Sequence, residues 1–316
     1  MRCNAAASDR ADRSDGSDGS ASSAGPHDRN GDTTVTLIDK PAPVPPGPRL
    51  GSLPVAVIGA GPVGLATAAN LVERGIDFRI YEAGPAVASA VAAWGHIRLF
   101  SPWAHLVDLV ARRLLAPTGW IEPDAADLPT GAELISVYLE RLGGLEAISS
   151  RIETGVTVEP VSRVGMDRTR TVGRSLAPFL LRMRPTDAGG GTGGGGPGGV
   201  AADTWEAIVS ALIDASGTCR CPNGLAVSGL DPLGLDEVAG AVSSALPDVL
   251  GTERLRFAGR HATVVGAGHS AANALIALAR LAGEEPGTRI TWAIRNFGAV
   301  RVSSSRDGEP RAAVRL

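Results

Sequence analysis

Residues 1–50 are polar and rich in Ser, Asp, Gly and Pro, and at Leu53 the pattern changes abruptly. Val55-Ala-Val-Ile58 is apolar at every position, as a parallel strand covered on both faces is. Gly59-Ala-Gly-Pro-Val-Gly64 follows, and then Leu65, Ala68, Ala69 and Val72 fall at i, i+3, i+4 and i+7, one face of a helix. Gly75 suits a left-handed stop. Phe78-Arg-Ile-Tyr81 reads as a second strand that ends at Glu82, so the order is strand, glycine turn, helix, strand.

Farther on, Thr130 and Glu133 have the spacing of a capping box. The helix behind it has an apolar face at Ile135, Tyr138, Leu139 and Leu142. Strands are expected from Val156 to Val161, from Phe179 to Met183 and from Glu206 to Ile213, the last running into Asp214-Ala-Ser-Gly-Thr218. Between Gly189 and Gly199, 9 of 11 residues are Gly, which predicts a flexible hairpin tip rather than a site. A second unit of the first kind starts at His261. Ala262–Val265 is its strand, Gly266-Ala-Gly-His-Ser-Ala271 its turn, and Leu275, Leu278, Ala279 and Ala282 its helix face. Gly283 is the expected cap, and Arg289–Ile294 the closing strand.

The chain has 316 residues, 44% hydrophobic and 20% charged, enough for two folded domains. The expected division is a disordered tail over 1–50, a first domain over 51–230, a partial second domain over 255–296 and an unstructured tail over 297–316. A net charge of -3 offers no broad basic surface for nucleic acid. Cys3, Cys219 and Cys221 are too few for a disulfide scaffold and fit a reducing compartment. No apolar run reaches the roughly 18 residues of a membrane span, and no secretory signal opens the chain. The expected location is therefore the cytoplasm.

Each glycine of Gly59-x-Gly61-x-x-Gly64 has a physical task. The first permits the tight turn, the second lets a pyrophosphate approach the backbone, and the third lets helix and strand pack closely. Pro62 and Val63 open the helix whose positive end faces the phosphates. Glu82, 82 − 59 = 23 residues on, stands where ribose hydroxyls want an acceptor. The second turn, Gly266-x-Gly268-x-x-Ala271, carries an accepted variant at its third place, and His269, which follows the glycines, reads as a phosphate-side donor rather than an acid–base group. Arg295 follows its second strand. A guanidinium there suits a 2′-phosphate, favouring NADPH over NADH, although 295 − 266 = 29 is long and a solvated surface arginine is the other reading. Two such turns on one chain imply one tightly held cofactor and one visiting reductant.

These turns, with Glu82, Trp94-Gly-His-Ile-Arg-Leu-Phe-Ser-Pro-Trp103 and Asp214-Ala-Ser-Gly-Thr218, resemble the pyridine nucleotide–disulfide oxidoreductase superfamily, and within it the flavin-containing-monooxygenase-like flavoproteins of bacteria. The resemblance runs from about Leu53 to Arg295. It implies an α/β fold with two dinucleotide-binding Rossmann-like domains, an FAD domain with an inserted NAD(P)H domain, the second incomplete. It implies FAD on Gly59, Gly61, Gly64, Glu82 and Ala83, with Trp94, Arg98 and Ser101 along the flavin and ribityl side. It also implies a backbone contact to adenine at Val156, a crossover at Ala215, Ser216 and Gly217, and NADPH phosphates on Gly266, Gly268, Ser270 and Ala271. The relatives pass electrons from NADPH through the flavin to oxygen or another small-molecule acceptor.

The monooxygenase signature Phe-x-Gly-x-x-x-His is not matched, because Phe257-Ala-Gly-Arg-His261 places His too early, so oxygenase and reductase chemistry both stay open. Phe297–Leu316 shows neither helical nor strand period where the family continues its second domain and then returns to the first. The expectation is a truncated chain, or one completed by another chain. A catalytically inactive FAD-binding remnant and a non-enzymatic flavin-binding partner are the competing readings. Cys219 and Cys221 form Cys-x-Cys rather than a redox Cys-x-x-Cys and read as ordinary thiols, His96 reads as positional, and no metal cluster is expected.

Overall fold

The computed structural model describes residues 50–186, 204–219, 224–225, 230–243 and 246–295. The expectations for residues 1–49, the glycine run at 189–199, Cys3, Cys221 and 297–316 lie outside the described residues.

Strand β1 (Val55–Ile58) lies between β2 (Phe78–Glu82) and a later strand, Ala211–Asp214, and pairs with both in parallel. A fourth strand, β3 (Ile152–Thr154), adds to the far side of β2. Helix α1 (Pro62–Glu73) makes the crossover from β1 to β2. It ends as the sequence asks. Gly75 takes φ +63°, its N–H bonds the Val72 carbonyl, and the Ile76 N–H bonds the Leu71 carbonyl, which is a Schellman closure.

Alternate residues of β1 and β2 face two different cores, which is why the strands read as apolar throughout. Val57, Phe78 and Ile80 are buried against Leu65, Ala68 and Ala69 of α1 and against Tyr138, Leu139 and Leu142. Ala56 and Tyr81 face a three-stranded antiparallel sheet of β4 (Val156–Arg163), β5 (Phe179–Pro185) and β6 (Trp205–Val209). There they meet Val156, Val158, Leu181, Met183 and Val209. Each large side chain sealed in this way contributes roughly 1.5–3 kcal/mol.

The strand expected over Glu206–Ile213 is two strands in different sheets. β6 ends at Val209 in the antiparallel sheet, and β7 (Ala211–Asp214) begins beside β1. Ser210 makes the switch, with its N–H 2.9 Å and its Oγ 3.1 Å from the Pro54 carbonyl. The change is one of partner, and apolar alternation carries no record of which sheet a residue joins.

The capping box is present: Thr130 Oγ1 accepts from the Glu133 N–H and Glu133 Oε2 accepts from the Thr130 N–H. The helix it starts runs on in π register over Leu134–Leu139, burying Leu134, Tyr138 and Leu139 together. Ile135 is only half-buried.

The second unit is β8 (His261–Val265), helix α2 (His269–Glu284) and β9 (Arg289–Ala293), with β8 and β9 parallel. Gly283 does not cap α2; it lies inside the helix, which is closed at Glu285. Arg254 bridges Glu284 at 2.7 Å and Glu285 at 3.0 Å, and this tertiary tie carries the helix past its glycine. The buried stripe is Ala271, Leu275, Leu278 and Leu281, while Ala279 is exposed. Among the described residues no helix is long and apolar enough to cross a membrane.

Candidate functional site

The register sets Ile58, Tyr81 and Asp214 level at the carboxyl ends of β1, β2 and β7. Ligands of open parallel sheets bind at that edge. The first glycine turn leaves β1 there, with the Gly59 N–H bonded to the Tyr81 carbonyl at 2.8 Å and φ of +97°. A Cβ on Gly59 would stand 2.6 Å from the Ala215 carbonyl oxygen, and one on Gly64 would stand 1.9 Å from the Gly59 carbonyl oxygen. A Cβ on Gly61 would meet no described atom within 4 Å. Two of the glycines thus serve the protein's own packing, and the middle one borders open space. Gly61 is also the N-cap of α1, without a side-chain cap. Pro62 has no N–H, so Val63 and Gly64 bring the N–H groups that lack intrahelical acceptors to the helix's positive end.

Glu82 is only 8% exposed and grips the turn. Its Oε2 accepts from the Ala60 N–H and its Oε1 from the Gly84 N–H, both at 2.7 Å. A carboxylate has about four lone-pair sites, so each oxygen keeps capacity for a hydroxyl donor. Ala83 lies half-buried between the two anchored positions. The Gly84 carbonyl accepts from the Gly155 N–H at 2.9 Å, which brings Val156, the first residue of β4, beside the acid. Ala88, left-handed at φ 56°, donates its N–H to the Ala60 carbonyl at 3.0 Å and closes the far side. On the other flank Asp214 Oδ1 accepts from Ser216 Oγ at 2.6 Å and from the Ser216 N–H at 3.1 Å. These bonds, the hydroxyl's first, hold the Asp214 carboxyl below the usual range. Gly217 then turns the chain at φ +69°. The structure therefore brings Gly59–Gly64, Glu82–Gly84, Val156 and Ala215–Gly217 to one sheet edge.

The Trp94–Trp103 stretch is held by residues 125–132. Leu99, Trp103 and Ala104 donate backbone N–H groups to Pro129, Asp127 and Ala125, and Gly131 returns one to Ile97. Trp94 packs so closely on Gly131 that a Cβ there would lie 2.9 Å from its ring. The Arg98 guanidinium bonds the Leu128 carbonyl and lies 3.8 Å from Glu133, so it is engaged by this strap rather than aimed at the glycine turn. Ser101 is exposed. Phe100 reaches the second unit and meets the His269 ring at 4.9 Å between centroids.

The second turn repeats the frame of the first. The Gly266 N–H bonds the Ala293 carbonyl at 3.0 Å, and Val265 pairs with Ala293 as Ile58 pairs with Tyr81. Ile294 therefore occupies the place of Glu82, and Arg295, exposed, follows directly. This accounts for the long spacing: 294 − 266 = 28 exceeds 82 − 59 = 23 by five, and four of the five lie in the helix, 16 residues in α2 against 12 in α1. Gly268 caps α2 without a side-chain bond, His269 and Ser270 are exposed at its first turn, and Ala271 is buried. Trp292 donates its indole N–H to the Gly266 carbonyl at 2.7 Å. Ile294, Trp292, Gly84 and Ala88 were not found from sequence. The first two become visible only when the strands are aligned by pairing, because a glycine count cannot absorb a longer helix.

Residues 57–119 match the family model of the NAD(P)-binding Rossmann-like domain. Among solved structures the chain is similar to the bacillithiol disulfide reductase Bdr (YpdA) from Bacillus cereus, at 18% identity and a TM-score of 0.51, over 80% of this chain and 61% of that one. It is also similar to DfoA, the cadaverine monooxygenase of desferrioxamine biosynthesis from Erwinia amylovora solved with FAD, at 19% identity and a TM-score of 0.50, over 76% and 50%. The likeness is one of fold, an α/β arrangement with a Rossmann-like domain. No curated protein matches. The chain spans 61% and 50% of the lengths of these two relatives.

Proposed function

We propose that this chain is an FAD-dependent oxidoreductase reduced by NADPH. The carrying observation is the contrast between two turns set in the same strand register: a buried, doubly bonded carboxylate at the end of β2, and Ile294-Arg295 at the end of β9. A carboxylate accepts from free ribose hydroxyls, and it would repel a 2′-phosphate. An apolar residue followed by a guanidinium fits the phosphorylated ribose.

The residues present fit FAD at the first turn. The open face at Gly61 admits a pyrophosphate, Val63 and Gly64 offer N–H groups to it, and Glu82 has lone pairs left for the ribose. Val156 offers backbone beside the acid, and Ala215–Gly217 closes the edge without bulky side chains. At the second turn Gly268, His269 and Ser270 border the phosphates, with Arg295 on the 2′-phosphate. FAD, when bound, supplies hydride acceptance from NADPH and electron delivery to an acceptor. The chain's own residues position the two dinucleotides. The acceptor is oxygen or a small-molecule substrate, and a monooxygenase is the narrower form of this reading.

The test is anaerobic mixing of FAD-loaded protein with NADPH or NADH while flavin absorbance is followed. Bleaching faster with NADPH supports the proposal. A purified chain that holds no flavin at saturating FAD, or a bound flavin that neither nucleotide reduces, overturns it.

A further inference from the structure

We propose that Trp292 is the positioning residue of the second turn, and that its hold on the Gly266 carbonyl is what admits alanine at position 271. The inference rests on the second turn being a nucleotide site, but the contact it concerns belongs to the chain alone. In the first unit the Gly59 carbonyl points at the start of α1, so that a Cβ on Gly64 would stand 1.9 Å from its oxygen. The corresponding residue in the second unit is Ala271, five residues after Gly266 as Gly64 is five after Gly59, and it carries a real, buried Cβ. The same carbonyl geometry cannot serve both. In the second unit the Gly266 carbonyl is bonded to Trp292 Nε1 at 2.7 Å, with Gly266 at φ +113° against +97° for Gly59.

The two units exchange their residues in step. Strand pairing sets Trp292 opposite Val264, as Ile80 is opposite Val57, and sets Ile294 in the place of Glu82. The first unit has Ile80 then Glu82, with the turn tied through the Ala60 N–H to the carboxylate. The second has Trp292 then Ile294, with the turn tied through the Gly266 carbonyl to the indole. The strand that gives up its acid, and with it the repulsion of a 2′-phosphate, gains a neutral donor that fixes the turn instead. Trp292 thus acts on NADPH through the backbone of Gly266–Gly268 and not by touching it.

The experiment is a double-mutant cycle with W292F, A271G and the pair, read by urea unfolding and by NADPH titration of the FAD-loaded protein. W292F keeps an aromatic ring, smaller than the indole, and removes the donor. It is expected to lower the unfolding midpoint and to raise the NADPH Kd about tenfold, the order expected for one lost bond to a part-buried carbonyl. The flavin spectrum should not change, and the loss should appear in the NADPH Kd and not in flavin content. Adding A271G should restore most of the NADPH affinity, because the carbonyl no longer has a Cβ to avoid. Additive effects in the cycle, or W292F with unaltered Kd and midpoint, overturn the proposal. If W292F fails to fold, recovery of folding in the pair supports it and no recovery overturns it. If wild type binds neither NADPH nor NADH, the nucleotide reading fails by itself, and the unfolding cycle still decides whether Trp292 makes room for Ala271.

Discussion

The Ala60 N–H donates to Glu82 Oε2 across 2.7 Å, and the acceptor is a carboxylate only 8% exposed. The Gly84 N–H fills the other oxygen in the same way. Replacing Glu82 by Gln turns one acceptor into an NH2 group that faces a backbone donor. The expected loss is about 1.5–3 kcal/mol of stability, the cost of leaving one charge-assisted bond unmade, together with loss of bound FAD. Urea unfolding without added flavin, beside a flavin-content assay, checks both. Unchanged stability would show that the clasp does not form.

The glycines of the first turn should separate fold from binding. G64A places a Cβ 1.9 Å from a backbone oxygen that cannot move freely, and an overpacking cost of about 1–3 kcal/mol is expected in the protein without flavin. G61A meets open space and should leave the unfolding midpoint near wild type while weakening FAD. Melting curves with and without FAD measure this. Equal FAD affinity in G61A and wild type would remove the pyrophosphate from that face.

The first strand–turn–helix–strand unit was legible because each signal in it is local: an apolar run, three glycines, a helical face and a terminal acid. The Schellman stop at Gly75 and the capping box at Thr130 were legible for the same reason. Three features were not. Ser210 leaves one sheet for another through a bond to Pro54, 156 residues away in sequence. Gly283 has the local signature of a cap but lies inside its helix, and the tie of Arg254 to Glu284 and Glu285 beyond it is tertiary. The equivalence of Ile294 and Glu82 depends on strand register, which shifts with helix length. Arg98 lies on a loop, and the direction of its guanidinium is decided by Leu128 and Glu133, which no local pattern around it records.

Nucleotide preference should reside at the end of β9. R295E removes the partner of a 2′-phosphate and adds repulsion, and I294E rebuilds the acid of the first unit. Both should weaken NADPH, by roughly 10- to 100-fold for a lost charge-assisted contact, and I294E should improve NADH relative to NADPH. Stopped-flow flavin reduction with each nucleotide gives the ratio. A ratio that neither substitution moves would mean that the ribose lies elsewhere.

The strap at Trp94–Trp103 leans on the Thr130–Glu133 capping box, since Arg98 lies 3.8 Å from Glu133 and pairs with Thr130 in an isolated bridge. T130A should cost about 1 kcal/mol, as loss of an N-cap typically does. The box also predicts a pH dependence with a definite sign. The Thr130 N–H, more than any other group, holds the Glu133 carboxyl below its ordinary value, with the Thr130 hydroxyl and Arg98 adding to it. A carboxyl depressed in the folded state contributes stability that is fully present above its unfolded value, about 4.3, and that is lost as pH falls through the folded value. The contribution is small because Glu133 is mostly exposed and screened by solvent. Wild type should therefore exceed E133Q in urea midpoint at neutral pH, and the difference should shrink toward zero in strong acid. Urea titrations of the two proteins at about pH 7 and about pH 3 give the comparison. A difference that stays constant across that interval would mean that the Glu133 charge does not hold the helix start, and would leave Leu128 alone to place Arg98.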